Sequence, residues 1–361
     1  MSVGGTNRSS ASPTSVGPSA RDLLIHVYHA AGPYLTVMTP CGELAETHPS
    51  ETFAQHRPDL EALGAHRRAL DAVAARLALP TPSDAGGQIV IAAADGTTAA
   101  DYGSEAPEIQ TASVDSLPYA APLLEWEQWR VPHMVVLTRG FAGDIVVFAP
   151  GEHGMPHEVS MADPHDDGLN FDAIVAACRG LALAHDVRLV AIAGDPSSRG
   201  AVADRLADAL PVTALVRTLE SSPEADTLGD EVVRLVADHV ARATVDVLRE
   251  FRFLLMNGLA AQGAEATLVA LASGAAGRLI VHDAPEDPRR AFWASDPRAV
   301  SIEQTGAMSS GRLVDVAIRS ALLQQMEVRI VPSTGDTGPA ENIGFLFVDP
   351  PSSSHAISDA G

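Results

Sequence analysis

The sequence predicts a mixed α/β protein of three domains: an α+β domain, a middle domain built on a layered α/β sheet, and a C-terminal α/β/α sandwich. Three observations carry this. The stretch 117–150 holds two short β-branched-rich apolar runs, 134–137 and 145–148, around Arg139-Gly140-Phe141-Ala142-Gly143. That pattern reads as a β-hairpin, and its near-continuous apolarity calls for helices covering the strands. Beyond it, strand and helix patterns alternate to residue 217, as in a βαβ-type sheet. A second such alternation runs from 224 to 350.

The length of 361 residues fits two or three domains, and 46% apolar residues suffice for sizeable cores. No apolar run approaches the ~18 residues that span a membrane. Residues 1–20, rich in Ser, Gly, Thr and Pro, are expected to be a disordered tail and not a signal peptide, and a cytoplasmic location is expected. Cys41 and Cys178 are expected to be reduced thiols. The formal charge is −22, and all 24 basic residues are Arg. The acidity is evenly spread. A protein that binds by neutralising phosphates should be basic, so composition speaks against generic nucleic-acid binding.

The first domain, 21–115, opens on a helix over 21–29 with Leu23, Leu24 and Val27 on one face. A strand follows at 33–39. Leu60, Leu63, Leu70, Val73 and Leu77 predict one helix over 51–79, stopped by Pro80 and Pro82. Strands are expected at 88–94 and 109–114. In the middle domain, 116–219, a long polar loop (151–168) follows the hairpin. Asn170 is placed to cap a helix carrying Phe171, Ile174, Val175, Cys178 and Leu181. A strand at 187–193, a helix with Val202, Leu206 and Leu210, and a strand at 212–216 complete it. Residues 218–226 read as a linker. The third domain, 224–350, opens on a helix to about Met256. Helices at 264–273 and 312–325 and strands at 278–282, 300–303, 328–331 and 343–348 follow. A flexible tail is expected over 351–361.

At 258–281 the sequence resembles the third domain of the archaeo-eukaryotic peptide chain release factor and Pelota superfamily. The shared features are a helix with Ala270-Leu271, a Gly274-Ala275 turn and the apolar strand Leu279-Ile280-Val281. The turn has a physical reason, since a helix must end and reverse into a buried strand within a few residues. In the middle domain, Leu117-Pro118-Tyr119, Pro122-Leu123 and the strand to Gly194 with its following Ser-Arg pair resemble the bacterial, actinobacterial branch of that superfamily, which includes a ribosome hibernation factor, Balon. The resemblance implies a three-domain factor that enters the ribosomal A site. The first domain would face the decoding centre, the middle one the peptidyl transferase centre. The third would have an L30-like fold and contact a translational GTPase. The implied partners are the 70S ribosome, through 16S and 23S rRNA, and elongation factor Tu. The implied role is protection of idle ribosomes by a monomer. A rescue peptidyl-tRNA hydrolase, and a module that binds an elongation factor off the ribosome, are the alternatives.

Gly86-Gly87-Gln88 matches the tripeptide that lets release factors approach the peptidyl-tRNA ester. Here it stands in the wrong domain and directly before an apolar run, so it reads as a turn into a strand. The middle-domain loop, where the family carries its catalytic tip, has no Gly-Gly-Gln. Neither catalytic residues nor a cofactor are therefore expected. Within that loop His153, His157 and His165 can stack on bases or reach phosphates, can bind a metal with Asp163, Asp166 and Asp167, or can simply be solvated. Their spacing is not a zinc signature. Arg57, His66, Arg67 and Arg68, with Arg76, form a basic helical face that meets either small-subunit RNA or nearby carboxylates. Residues 194–200 follow a strand and open a helix; a plain loop is favoured over an anion site. Trp126 and Trp129 are expected to pack, and Asp144 and Asp195 to cap.

Overall fold

The computed structural model describes residues 19–348, apart from 43–44, 46, 83–84, 104–106, 108–110, 140–141, 149–156, 162–170, 212, 222–226 and 333–337. The chain divides into two compact units. Val131–Leu228 make one, and Ser19–Arg130 with the chain from Gly229 onward make the other.

The second unit begins with α1 (Ala20–Tyr28), whose Asp22 backbone N–H donates to the Ser19 hydroxyl at the N-cap. β1 (Tyr34–Pro40) follows. The single helix expected over 51–79 is instead two, α2 (Pro49–Ala62) and α3 (Arg67–Leu77). The break is a Schellman turn: Ala65 N–H donates to Leu60 O and Gly64 N–H to Glu61 O, with Gly64 at φ 96°. The turn takes Leu63 off the apolar stripe and leaves it 68% exposed. β2 (Gly87–Ala92), β3 (Thr98–Gly103) and β4 (Thr111–Asp115) complete an antiparallel sheet in the order β3-β2-β1-β4. β3 was not expected, because TAADYG lacks an apolar alternation; pairing with β2 recruits it. Alternate residues serve the two faces. Leu35, Val37, Val90 and Ala92 meet Phe53, Leu70 and Val73 of α2 and α3, while Met38, Ile89 and Ile91 meet Leu24 and Val27 of α1. α4 (Ala121–Trp129) packs on that second face.

The unit 131–228 holds the expected hairpin, β5 (His133–Arg139) and β6 (Ala142–Phe148), paired from Arg139↔Ala142 to His133↔Phe148. β7 (His157–Met161) pairs with β6, so part of the expected 151–168 loop is a strand. Main-chain pairing, which leaves no mark on hydropathy, places it there. Then come α5 (Phe171–Ala184), β8 (Leu189–Gly194), α6 (Pro196–Ala209) and β9 (Leu215–Thr218). The sheet order is β7-β6-β5-β8-β9, with β5, β8 and β9 parallel. α5 and α6 both cover the face bearing Met134, Val136, Val190 and Ile192.

The chain then enters α7 (Leu228–Met256), β10 (Ala260–Gln262), α8 (Ala264–Ser273) and β11 (Gly277–Val281). β12 (Arg290–Trp293), β13 (Val300–Ser301) and β14 (Ser309–Arg312) form a small antiparallel sheet. α9 (Leu313–Leu323), β15 (Glu327–Ile330) and β16 (Ile343–Phe347) finish the fold. The main sheet, β10-β16-β11-β15, is the middle of three layers. Ile280 and Leu346 face Leu248 and Phe251 of α7; Leu279, Val281 and Phe345 face Leu268 and Leu271 of α8 and Ala317 and Ile318 of α9. Gly274 ends α8 at φ 70°, the left-handed cap that the Gly-Ala turn requires. The architecture is mixed α/β, as expected.

The N-terminal elements and this sandwich share one hydrophobic core. Leu24, Val27, Ile91, Leu117 and Leu123 pack in the same cluster as Leu268, Val281, Leu313 and Ala317. Leu117 and α4, which read from sequence as the entry to the middle domain, lie in this shared core.

Candidate functional site

The basic face expected on one long helix is divided by the α2–α3 turn. Arg57, on α2, donates to Asp71 of α3 at 2.5 Å and so ties the two helices together. That hydrogen bond holds the exposed Asp71 carboxyl below the usual carboxylate range. His66, Arg67 and Arg68 occupy the N-cap and first turn of α3, and all three are exposed. No side chain caps this helix start and no acidic residue stands in its first turn, so its N–H groups and partial positive charge face outward with two guanidinium groups. Arg68 adjoins the β2–β3 turn, where Gly96 lies against its backbone and Cβ at φ 94°. There Asp95 is held low by the Thr97 N–H, with Arg68 adding to the effect. Of the five predicted basic residues, three thus meet at one exposed helix start and Arg57 braces it. Periodicity reading missed the break; the Leu63-Gly64 step was the signal for it. Arg76, further along α3, is half-buried.

Gly86-Gly87-Gln88 lies at the edge of β2. Gln88 pairs across the sheet with Thr39 and Tyr102 and is 1% exposed. Its Nε2 is buried with no partner among the described residues. A side chain so placed does not reach an external ester. The turn-into-strand reading of the tripeptide matches this geometry.

Of the three loop histidines, His153 and His165 lie outside the described residues, as do Asp163, Asp166, Asp167 and Asn170. His157 opens β7, opposite Val147 of β6. Among the described residues no group of three His, Cys, Asp or Glu side chains could hold a metal.

At the parallel-strand ends of the same unit, Gly194 has φ 142° and leaves no room above its Cα: a Cβ there would stand 1.9 Å from Thr138 Oγ1. The Thr138 hydroxyl, 1% exposed, donates to Ala193 O at 3.2 Å and lies 3.2 Å from the Ser198 hydroxyl. Asp195 takes the N-cap position of α6, yet its carboxylate makes no capping bond, contrary to expectation. Asp144 stands inside β6, paired with Leu137 and Ser160, and not at a strand end. Arg199 donates to Leu219 O and pairs with Glu220 at 3.7 Å, so the first turn of α6 fastens the chain just beyond β9. Trp126 lies flat against Gly103 of β3, the packing role expected, while Trp129 is 49% exposed. Cys41 and Cys178 are free and buried, and burial pushes their thiols up to about 11 and about 12.

Comparison with known proteins adds the lineage. Residues 160–253 match the model of bacterial archaeo-eukaryotic release factor family 2. The match takes in the Val187–Gly194 region and the Ser-Arg pair, but neither Leu117-Pro118-Tyr119 nor 258–281. No curated protein matches the chain. Among solved structures, ribosome-bound archaeal Pelota is 13% identical, with 92% of this chain and 96% of that one covered and a TM-score of 0.43. Archaeoglobus fulgidus Pelota is 11% identical over 93% and 94%, at 0.37. The archaeal translation termination factor aRF1 is 16% identical over 92% and 99%, at 0.24. Over that segment, from β7 into α7, the chain resembles the bacterial archaeo-eukaryotic release factor-like superfamily.

Proposed function

We propose that this protein is a ribosome-associated translation factor of the release factor and Pelota type that acts without hydrolysis. The observation that carries the reading is the family match over 160–253, most of it in the unit 131–228 that would approach the peptidyl transferase centre. The exposed His66, Arg67 and Arg68 at the start of α3 supply a site for RNA phosphate in a chain of net charge −22. The buried Gln88 and the absence of a second Gly-Gly-Gln from the sequence speak against peptide release. In this reading the factor occupies the vacant A site of an idle 70S ribosome, contacting 16S rRNA through α3 and 23S rRNA through the 151–168 region. Elongation factor Tu is its proposed GTPase partner.

Co-sedimentation with purified 70S particles, with and without elongation factor Tu, tests the reading alongside a peptidyl-tRNA hydrolysis assay. Binding to vacant ribosomes with no hydrolysis is expected. Hydrolysis above background would return the protein to the rescue enzymes. Binding to elongation factor Tu but not to ribosomes would make it an off-ribosome module.

A further inference from the structure

Arg312, the last residue of β14 and the N-cap of α9, stands with Asp315 and Arg319 of α9 at the seam between the N-terminal segment and the C-terminal sandwich. Arg312 donates to Asp283 Oδ1 at 2.9 Å, to Asp315 Oδ2 at 3.3 Å and to Ala284 O at 3.2 Å. Its guanidinium lies 4.8 Å from the centre of the Tyr119 ring. The Tyr119 hydroxyl donates to the other Asp283 oxygen, and the Tyr119 N–H donates to Thr36 of β1 at 3.2 Å. One short segment, the Pro-Tyr pair at 118–119, is thus bonded both to the N-terminal sheet and to the sandwich.

The cluster is buried and unbalanced. Asp315 is 3% exposed. Two carboxylates share the single Arg312 guanidinium. Asp115 has its own cation in Arg290 at 3.9 Å, and Arg319 is drawn to the Trp293 ring at 4.4 Å and to Ser295 O. Tyr28 of α1, near Asp315 and Arg319, and Tyr34 of β1, near Arg319, stand there as neutral phenols. Among the described residues Arg312 Nε, Arg319 Nη1 and Tyr28 OH are all buried with no partner. A buried seam with surplus negative charge and open hydrogen-bonding atoms costs stability that an apolar seam would not.

We propose that Asp315 is a proton-responsive clasp on this seam: protonated, it balances the cluster and holds α1, α4 and α9 together; ionised, it leaves an uncompensated buried charge and loosens them. Burial first, then the Asp283 and Asp115 charges, raises the Asp315 carboxyl to about 7, with Arg312 and the Ala120 backbone N–H opposing. An unfolded Asp titrates near ~3.9, so the folded chain holds one more proton between those values. The stabilisation is therefore complete at low pH, declines as pH rises toward about 7, and is gone above it.

The test uses the full chain, followed from pH 5 to 8 by thermal unfolding and by hydrogen exchange of peptides from α1, α4 and α9. The wild type should lose roughly 5 °C or more across that range. Exchange in those three helices, corrected for the intrinsic rate, should rise while exchange in 131–228 holds steady. Asp315→Asn should flatten both trends, which separates Asp315 from the histidines. Asp283→Asn should move the transition to lower pH by removing one repelling charge, and it decides the matter if Asp315→Asn does not fold. A pH slope shared by wild type and Asp315→Asn, or a transition that Asp283→Asn leaves in place, overturns the proposal.

Discussion

Replacing Gln88 by Met separates the two readings of the Gly-Gly-Gln tripeptide. Gln88 is 1% exposed within β2, and its Nε2 finds no partner among the described residues. An unsatisfied buried amide costs about 1–3 kcal/mol relative to a paired one. Met has nearly the same length and volume and no polar head, so the exchange leaves no cavity. The expected outcome is a native state that is unchanged or up to about 2 kcal/mol more stable, the lower end reflecting an imperfect fit of the thioether. Urea unfolding measures this through a shifted midpoint at constant slope. Ribosome co-sedimentation and peptidyl-tRNA hydrolysis by the same variant should equal those of the wild type. A loss of more than about 2 kcal/mol would show that the amide makes bonds in the fold and would refute the energetic reasoning. A selective loss of hydrolysis with stability intact would show that Gln88 reaches substrate, against its burial.

Other outcomes follow from the same geometry. Arg67→Ala with Arg68→Ala should weaken ribosome binding and make it less salt-sensitive, lowering the log–log slope by roughly 0.7 to 0.9 per lost phosphate contact. An unchanged slope in a sedimentation titration would remove α3 from the interface. Gly194→Ala should destabilise the 131–228 unit by about 3 kcal/mol or more, because a Cβ would strike Thr138 from a left-handed backbone. Limited proteolysis should then cut that unit first. Gly64→Ala meets no neighbour within 4 Å, so only its φ of 96° resists, and a cost of about 1 kcal/mol in urea unfolding is expected.

The predicted site was legible in part. The basic residues of α3 stood out because an all-arginine, acidic chain rarely clusters cations, and the Gly-Gly-Gln misplacement was visible from the apolar run beside it. The α2–α3 break was not, since Leu60, Leu63, Leu70 and Leu77 keep helical spacing across a turn that only Gly64 betrays. The cluster of Arg312, Asp315 and Arg319 was invisible as well, because it is assembled only by packing against Tyr119, Tyr28 and Trp293.

By itself the sequence determined what is local and periodic: the hairpin at β5–β6, the amphipathic helices, the glycine that ends α8, and the most apolar strands of the three larger sheets. These follow from short-range sterics and from the spacing of apolar side chains. The tertiary structure decided everything that needs a distant partner. It recruited β3, β7, β12 and β14 by main-chain pairing, which is blind to side-chain type. It merged the N-terminal elements with the C-terminal sandwich in one core, because each presented an apolar face that the other could cover. It also set which charges are free to meet a partner and which are spent inside the fold, a distinction that depends on burial and not on composition.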